Sequence, residues 1–99
     1  MAKRIIWSIQ ARKDRREVLE YWAKRNGNKI YSRRLARKFR EVVRYIGEHN
    51  YLGIATDDEN VRVTVCEHYL LFYEIKKLVI EILTLWDSRR NPQDLKIKR

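Results

Sequence analysis

Two stretches of the chain place apolar residues at helical spacing. The clearer one covers residues 29–48, where apolar side chains recur every three or four positions and basic side chains fill the other faces. Its apolar stripe consists of Tyr31, Leu35, Phe39, Val42 and Ile46, with Val43 widening it. At 1.5 Å per residue, this pattern predicts a basic amphipathic helix about 30 Å long.

A weaker helical pattern precedes it over residues 11–25. Its apolar face carries Ala11, Val18, Leu19 and Trp22. Between the two patterns, Gly27 suits the left-handed backbone that ends a helix, and Asn28 suits the cap of the next one. Because the connection is so short, the sequence predicts an antiparallel helix hairpin.

Three strand patterns follow the hairpin. In residues 61–66, valines alternate with Arg62, Thr64 and Cys66, whereas residues 69–75 are almost continuously apolar. The second pattern is typical of a central strand covered on both faces. The third strand is predicted from Leu78 to Trp86, and short turns at residues 67–68 and 76–77 make the three an antiparallel meander.

Residues 4–9 are rich in β-branched and aromatic side chains and predict one more strand before the hairpin. The element order is therefore β-α-α-β-β-β. We expect a two-layer α+β sandwich, in which the N-terminal helix hairpin packs on one face of an antiparallel sheet and the first strand joins an edge. A chain of 99 residues buries one core, so residues 1–99 are expected to form a single domain.

Charge changes this picture by polarising the molecule. The net charge is +10, but residues 11–50 hold 13 basic and 5 acidic side chains, whereas residues 51–88 hold 3 basic and 7 acidic ones. The basic front half and tail favour an acidic or polyanionic partner. A solvated basic surface that binds nothing specific is the alternative.

Several classes of protein are disfavoured. Cys66 is the only cysteine, so an intrachain disulfide is excluded, and we expect a small buried thiol. His49 and His68 lack partners at metal-ligand spacing, and no Gly-rich phosphate loop is present, so we expect no metal and no cofactor. The N-terminal apolar run is too short for a signal peptide or a membrane span, which predicts a cytoplasmic protein without membrane contact.

The residues leave one reaction open, metal-independent cleavage of RNA. Attack by a ribose 2′-hydroxyl needs a base, cations beside the phosphorane and an acid for the leaving oxygen. Candidates near the predicted sheet are Arg62, His68, Tyr69, Arg89 and Arg90. Core packing for the tyrosine and a surface turn for the histidine are the simpler alternatives.

Two segments carry a resemblance to a known family. Residues 66–75 (Cys-Glu-His-Tyr-Leu-Leu-Phe-Tyr-Glu-Ile) and residues 82–92 (Ile-Leu-Thr-Leu-Trp-Asp-Ser-Arg-Arg-Asn-Pro) resemble the RelE/ParE superfamily, and the hairpin with Tyr21-Trp22 is similar too. These are toxins of bacterial type II toxin–antitoxin modules. The resemblance implies a small basic toxin held inactive by a cognate antitoxin, an acidic chain with a helix and an extended segment.

The superfamily has two activities. RelE-like members cleave messenger RNA on the ribosome with basic residues of the sheet and a late Arg, followed by Tyr or His. Here Arg62 and Arg89 or Arg90 match, but Thr64, Leu70 and Leu95 stand where such groups are expected. ParE-like members lack this set and poison DNA gyrase, and residues 66–69 resemble that branch more closely.

The resemblance therefore favours a gyrase-directed toxin that is not an enzyme. The alternatives are a ribosome-dependent mRNA endoribonuclease, with the five candidates above as its catalytic set, and a non-toxic basic module that binds nucleic acid. In the favoured interpretation, the second helix is a binding surface for gyrase or its DNA. Its residues are Arg33, Arg34, Arg37, Lys38, Arg40 and Arg44.

Overall fold

Two helices pack on one face of a five-stranded sheet in a computed structural model that describes residues 2–95. This confirms the α+β sandwich and the helix hairpin. The elements are β1 (Arg4–Trp7), α1 (Ile9–Asn26), α2 (Ile30–Glu48), β2 (Ile54–Ala55), β3 (Val61–Cys66), β4 (Tyr69–Ile75), β5 (Val79–Asp87) and a final 3₁₀ turn (Pro92–Asp94).

The strand order is β1-β5-β4-β3-β2, and the antiparallel meander of β3, β4 and β5 is confirmed. The sheet as a whole is mixed, because β1 runs parallel to β5 with Ile5 opposite Ile80. No tight turn joins β1 to the sheet, so the direction of β1 is set by the helical crossover. Strand β2 was not predicted from sequence, since two residues opposite Arg62 and Val63 show no periodicity.

Residues that flank the helices determine where α1 begins and ends. Ser8 is the N-cap of α1, and its Oγ accepts a hydrogen bond from the Ala11 amide at 2.9 Å. The predicted first strand is therefore two residues too long, and Ile9 opens the helix instead. Gly27 ends α1 with φ of 69°, as predicted. The N-cap of α2 is Lys29 and not Asn28 as expected, although the Asn28 side chain accepts a hydrogen bond from the Ile30 amide at 3.0 Å.

The apolar stripe of α2 forms the centre of the core. Leu35, Phe39 and Ile46 are fully buried, and the Phe39 ring meets the ring of Tyr69 edge to face at 5.8 Å. Val43 is more deeply buried than Val42, so the buried face of α2 is centred closer to Val43 than the sequence pattern indicated. The predicted core face of this helix is confirmed.

Register decides which face of β3 meets the helices. Cys66 lies opposite Tyr69 and Arg62 lies opposite Tyr73, and both tyrosines belong to the helix-side core. The valines of β3 therefore face away from the helices, and Val65 is 62% exposed. Burial raises the pKa of Cys66 to about 11, and the buried position agrees with the small buried thiol expected from sequence.

The central strand β4 is not sealed on both of its faces. Tyr69, Leu71 and Tyr73 are buried beneath the helices, whereas Leu70 and Phe72 on the other face are only half-buried. The continuous run of apolar residues therefore correctly predicts a central strand, but only one face of that strand is fully buried.

Tyr73 ties the chain that follows α2 to the sheet. Its hydroxyl accepts from the Gly53 amide at 2.8 Å and donates to the Asn50 carbonyl at 3.0 Å. Gly53 comes so close that a Cβ there would lie 2.7 Å from the Val63 carbonyl oxygen. Burial raises the pKa of Tyr73, so the hydroxyl stays protonated and can make both bonds.

We expect Tyr73→Phe to lower the free energy of unfolding by about 1–3 kcal/mol, because it leaves the Gly53 amide without its buried acceptor. Urea denaturation gives this value. Tyr45→Phe is the matched control, since the Tyr45 side chain is 58% exposed and surface changes usually cost under about 0.5 kcal/mol. Equal losses in the two variants would contradict the role given to the Tyr73 hydroxyl.

Candidate functional site

An open cleft lies where β5 runs past the end of β1. Strand β1 stops at Trp7 opposite Ile82, so residues 83–87 of β5 face α1 directly. The cleft has a volume of about 390 Å³. Its lining consists of Asp14, Glu17, Val18 and Tyr21 from α1, Tyr69, Leu85 and Asp87 from the sheet, and Arg89 and Arg90 beyond it.

Asp14 holds the two sides of the cleft together. One carboxylate oxygen accepts from the Thr84 hydroxyl at 2.5 Å and from the Leu85 amide at 3.1 Å, and the other accepts from the Gln10 side chain at 2.7 Å. At the edge of a sheet, backbone amides are normally free to pair with another strand. Here the Leu85 amide donates to the side chain of Asp14 on α1 instead. Sequence analysis missed Asp14; its only sequence signal is the four-residue spacing from Gln10.

Tyr69 is a core residue that also lines the cleft. The side chain is 3% exposed, and its oxygen accepts a hydrogen bond from the Trp22 indole at 2.8 Å. Tyr21 and Tyr31 pack edge-on against Trp22, with ring centroids 5.2 and 5.0 Å away. Burial raises the pKa of Tyr69, which keeps the phenol neutral.

Arg89 is committed to a neighbouring carboxylate. Its guanidinium donates to both oxygens of Asp87, at 3.0 and 2.8 Å, and its amide donates to the same side chain at 2.9 Å. The side-chain hydrogen bond from Arg89 lowers the pKa of Asp87 and raises that of Arg89. Arg90 instead lies over the Trp86 ring, 4.2 Å from its centroid.

The other two catalytic candidates lie outside this cleft. Arg62 donates to the Gly53 carbonyl at 2.7 Å and sits over the Tyr51 ring at 4.9 Å. Its row of the sheet is four residues from that of Tyr69, about 13 Å along the strand. His68 is exposed in the β3–β4 turn, where its carbonyl accepts from the Ser88 amide. Tyr69, Arg89 and Arg90 line the cleft. His68 lies beside it, where its charge adds to the hydrogen bond from Arg89 in lowering the pKa of Asp87, whereas Arg62 is remote.

The predicted basic surface divides into two kinds of residue. Lys38 forms an ion pair with Glu67, which has a positive φ of 57° in the β3–β4 turn. The hydrogen bond from Lys38 lowers the pKa of Glu67. The same contact links α2 to the β3–β4 turn. The remaining members are exposed on α2: Arg33, Arg34, Arg37, Arg40 and Arg44.

Other kinds of site find no support in the described part of the chain. Between residues 2 and 95, no cluster of three or more His, Cys, Asp or Glu side chains has an arrangement suited to a metal ion. Within the same span, neither helix combines the length and the apolar character that crossing a bilayer requires.

Fold and site together define a small basic α+β protein with an aromatic cleft beside its sheet and an arginine-rich outer helix. Residues 5–92 match the family described as the ParE toxin of the type II toxin–antitoxin system parDE. The chain therefore belongs to the ParE toxin family, which confirms membership of the RelE/ParE superfamily.

A solved structure has the same fold. A chain of the chromosomal ParDE TA system from P. aeruginosa superposes with a TM-score of 0.76 at 15% sequence identity, covering 89% of this chain and 98% of that one. A comparison with curated protein sequences gives no match.

We expect Arg89→Gln to raise the pKa of Asp87 toward its ordinary value near 3.9, because the lowered value depends on Arg89. This pKa is measured from the NMR chemical shift of the Asp87 carboxyl carbon as the pH is varied. Since the folded-state pKa lies below the unfolded one, the pair stabilises the fold above about pH 4, and this contribution is lost as the pH falls through the folded-state pKa. Arg90→Gln removes the same charge from the stacked neighbour and should leave the Asp87 titration nearly unchanged. Equal shifts in both variants would contradict the specific pairing.

Proposed function

We propose that this chain is a toxin that arrests growth by interfering with DNA gyrase in the cytoplasm and is neutralised by a cognate antitoxin. The ParE family match over residues 5–92 carries this proposal. The position of Arg62 outside the cleft lined by Tyr69, Arg89 and Arg90 also supports it, because RNA cleavage needs its acid, base and cationic groups around one phosphate.

The state of each group supports the same conclusion. Tyr69 is buried with a raised pKa and already accepts a hydrogen bond. Arg62 is bound to a backbone carbonyl, and Arg89 is neutralised by Asp87. A ribonuclease would have to release these groups and bring Arg62 across about 13 Å of sheet.

One observation favours a ribosome-dependent endoribonuclease as the second candidate. Tyr69, Arg89 and Arg90 line one cleft, so a phosphate there would meet a phenol and two guanidinium groups. In that case Arg89→Ala, Arg90→Ala should abolish message cleavage, since losing positioned groups typically costs about 10²–10⁴ in rate.

The antitoxin is proposed to occupy the cleft. Tyr21 stands on its rim with 51% of its surface exposed, and Val18 and Leu85 add apolar lining. An acidic, amphipathic segment would set apolar residues into the cleft and carboxylates against the basic side chains of α1 beside it. Cleft and hairpin are adjacent because α1 contributes to both.

Two readouts separate the candidate functions. Controlled expression should induce the DNA-damage response while messages keep their normal half-lives, and the purified chain should inhibit supercoiling of relaxed plasmid by purified gyrase. Normal supercoiling with rapid message loss would replace the gyrase proposal by the ribonuclease. Growth unaffected by expression, with both readouts normal, would favour the non-toxic binding module.

The cleft assignment is tested with the protein encoded by the reading frame adjacent to this one. Tyr21→Glu should weaken its binding at least about tenfold in calorimetry, because a charge would enter the apolar contact. Tyr45→Glu introduces the same charge at a similarly exposed tyrosine of α2 and should leave the affinity within about twofold. If Tyr45→Glu weakened binding more than Tyr21→Glu, the antitoxin would have to sit elsewhere.

A further inference from the structure

Four arginines form a single line along α2. Arg33, Arg37, Arg40 and Arg44 recur at helical spacing and span about 17 Å of the helix. All four are exposed, opposite the stripe of Leu35, Phe39 and Ile46 that is buried in the core. We call these four residues the arginine ridge.

The guanidinium groups of the ridge have almost no partners within the described part of the fold. Elsewhere Arg89 pairs with Asp87, and the guanidinium groups of Arg15, Arg62 and Arg90 lie over aromatic rings. Within residues 2–95, the guanidinium groups of Arg33, Arg37 and Arg40 make no hydrogen bond or ion pair, and Arg44 has one long contact of 3.4 Å with Glu48. The fold itself therefore does not account for the ridge.

We propose that the arginine ridge binds the phosphate backbone of duplex DNA, whether or not gyrase is the target of the toxin. A row of planar guanidinium groups matches successive phosphates, each of which can accept two hydrogen bonds. The inference goes beyond the proposed function, since it concerns direct contact between this chain and DNA.

The surface around the ridge suits nucleic acid better than protein. A shallow groove of about 520 Å³ runs beside it, lined by Ile30, Arg33, Arg34, Ala36, Arg37 and Arg40. Ile30 is the only large apolar residue of that lining. Protein interfaces bury a central patch rich in aromatic residues and poor in charge, whereas DNA interfaces are polar and strongly basic. The small side chain of Ala36 lets a sugar–phosphate chain approach the helix.

The hairpin geometry indicates contact with phosphates and no sequence reading. Helix α2 lies along α1, and two packed helices are about 20 Å wide. The major groove is about 12 Å wide and admits one helix. The ridge would therefore contact the phosphates on either side of the groove and would not reach the bases. The affinity should then not depend on base sequence.

The test measures binding of the purified chain to a fluorescein-labelled 20-base-pair duplex by anisotropy at several NaCl concentrations. Each phosphate contact contributes about 0.9 to the slope of log K against log salt. The variant Arg33→Gln, Arg37→Gln, Arg40→Gln should thus reduce the slope by about 2.7 and the affinity at low salt at least about tenfold. Gln is a good helix former, and far-UV circular dichroism verifies the fold.

A charge-matched control separates the ridge from net charge. Lys13, Lys24 and Lys77 are exposed and lie off α2, and changing all three to Gln lowers the net charge equally. The inference requires this control to keep nearly the wild-type slope, and equal losses in both triple variants would overturn it. The variant Arg33→Lys, Arg37→Lys, Arg40→Lys preserves charge and should keep the slope with a weaker affinity.

Two further outcomes bear on the ligand. A second duplex of unrelated sequence should bind within about threefold, and a strong preference between the two would overturn the backbone contact. No duplex binding at 50 mM NaCl, together with ridge-dependent binding of polyglutamate, would replace DNA by an acidic protein. Because none of these assays contains gyrase, a failed supercoiling experiment and a failed DNA-binding experiment remain distinct results.

Discussion

The whole structure depends on the contact between the apolar stripe of α2 and the face of β4 that carries Tyr69, Leu71 and Tyr73. Phe39 meets Tyr69 edge to face there, and every one of these four side chains is almost fully buried. Burying each contributes about 1.5–3 kcal/mol before the entropy of ordering the chain is subtracted. Since one side of α2 is fixed on the sheet, the opposite side must point outward, and that side holds the arginine ridge.

Helix positions could be predicted from sequence because their information is local. A stripe at three- and four-residue spacing defines a buried face, and Gly27 and Asn28 act on their immediate neighbours. The direction of β1 could not be predicted, since it depends on where a chain of two helices delivers the next strand. The orientation of Arg62 was hidden for the same reason: alternation identifies two faces of β3, and only the register with β4 decides which face meets the helices.

Candidate residues were found by type, whereas their roles depend on tertiary neighbours. Sequence suggested Tyr69 and Arg89 as reactive groups, but the bond from Trp22 to Tyr69 joins residues 47 positions apart. Lys38 and Glu67 are 29 positions apart, and Glu67 lies in a turn with left-handed backbone. Asp14 shows the converse case, because it is one of three acidic residues in α1 and its sequence context gave no sign that it holds the edge of β5. No local pattern encodes these distances.

Some arginines support the fold and others lie exposed on the surface, and this division separates two candidate binding surfaces. A net charge of +10 opposes compaction, and stacking on aromatic rings or pairing with carboxylates lets several arginines contribute to the fold. The arginine ridge lies on α2, whereas the cleft is lined by residues of α1, β4, β5 and the chain that follows β5, and it shares no residue with the ridge. If the antitoxin occupies the cleft and DNA lies on the ridge, each can bind while the other is present. Neutralisation would then act on the toxin's target and would leave the contact with DNA intact.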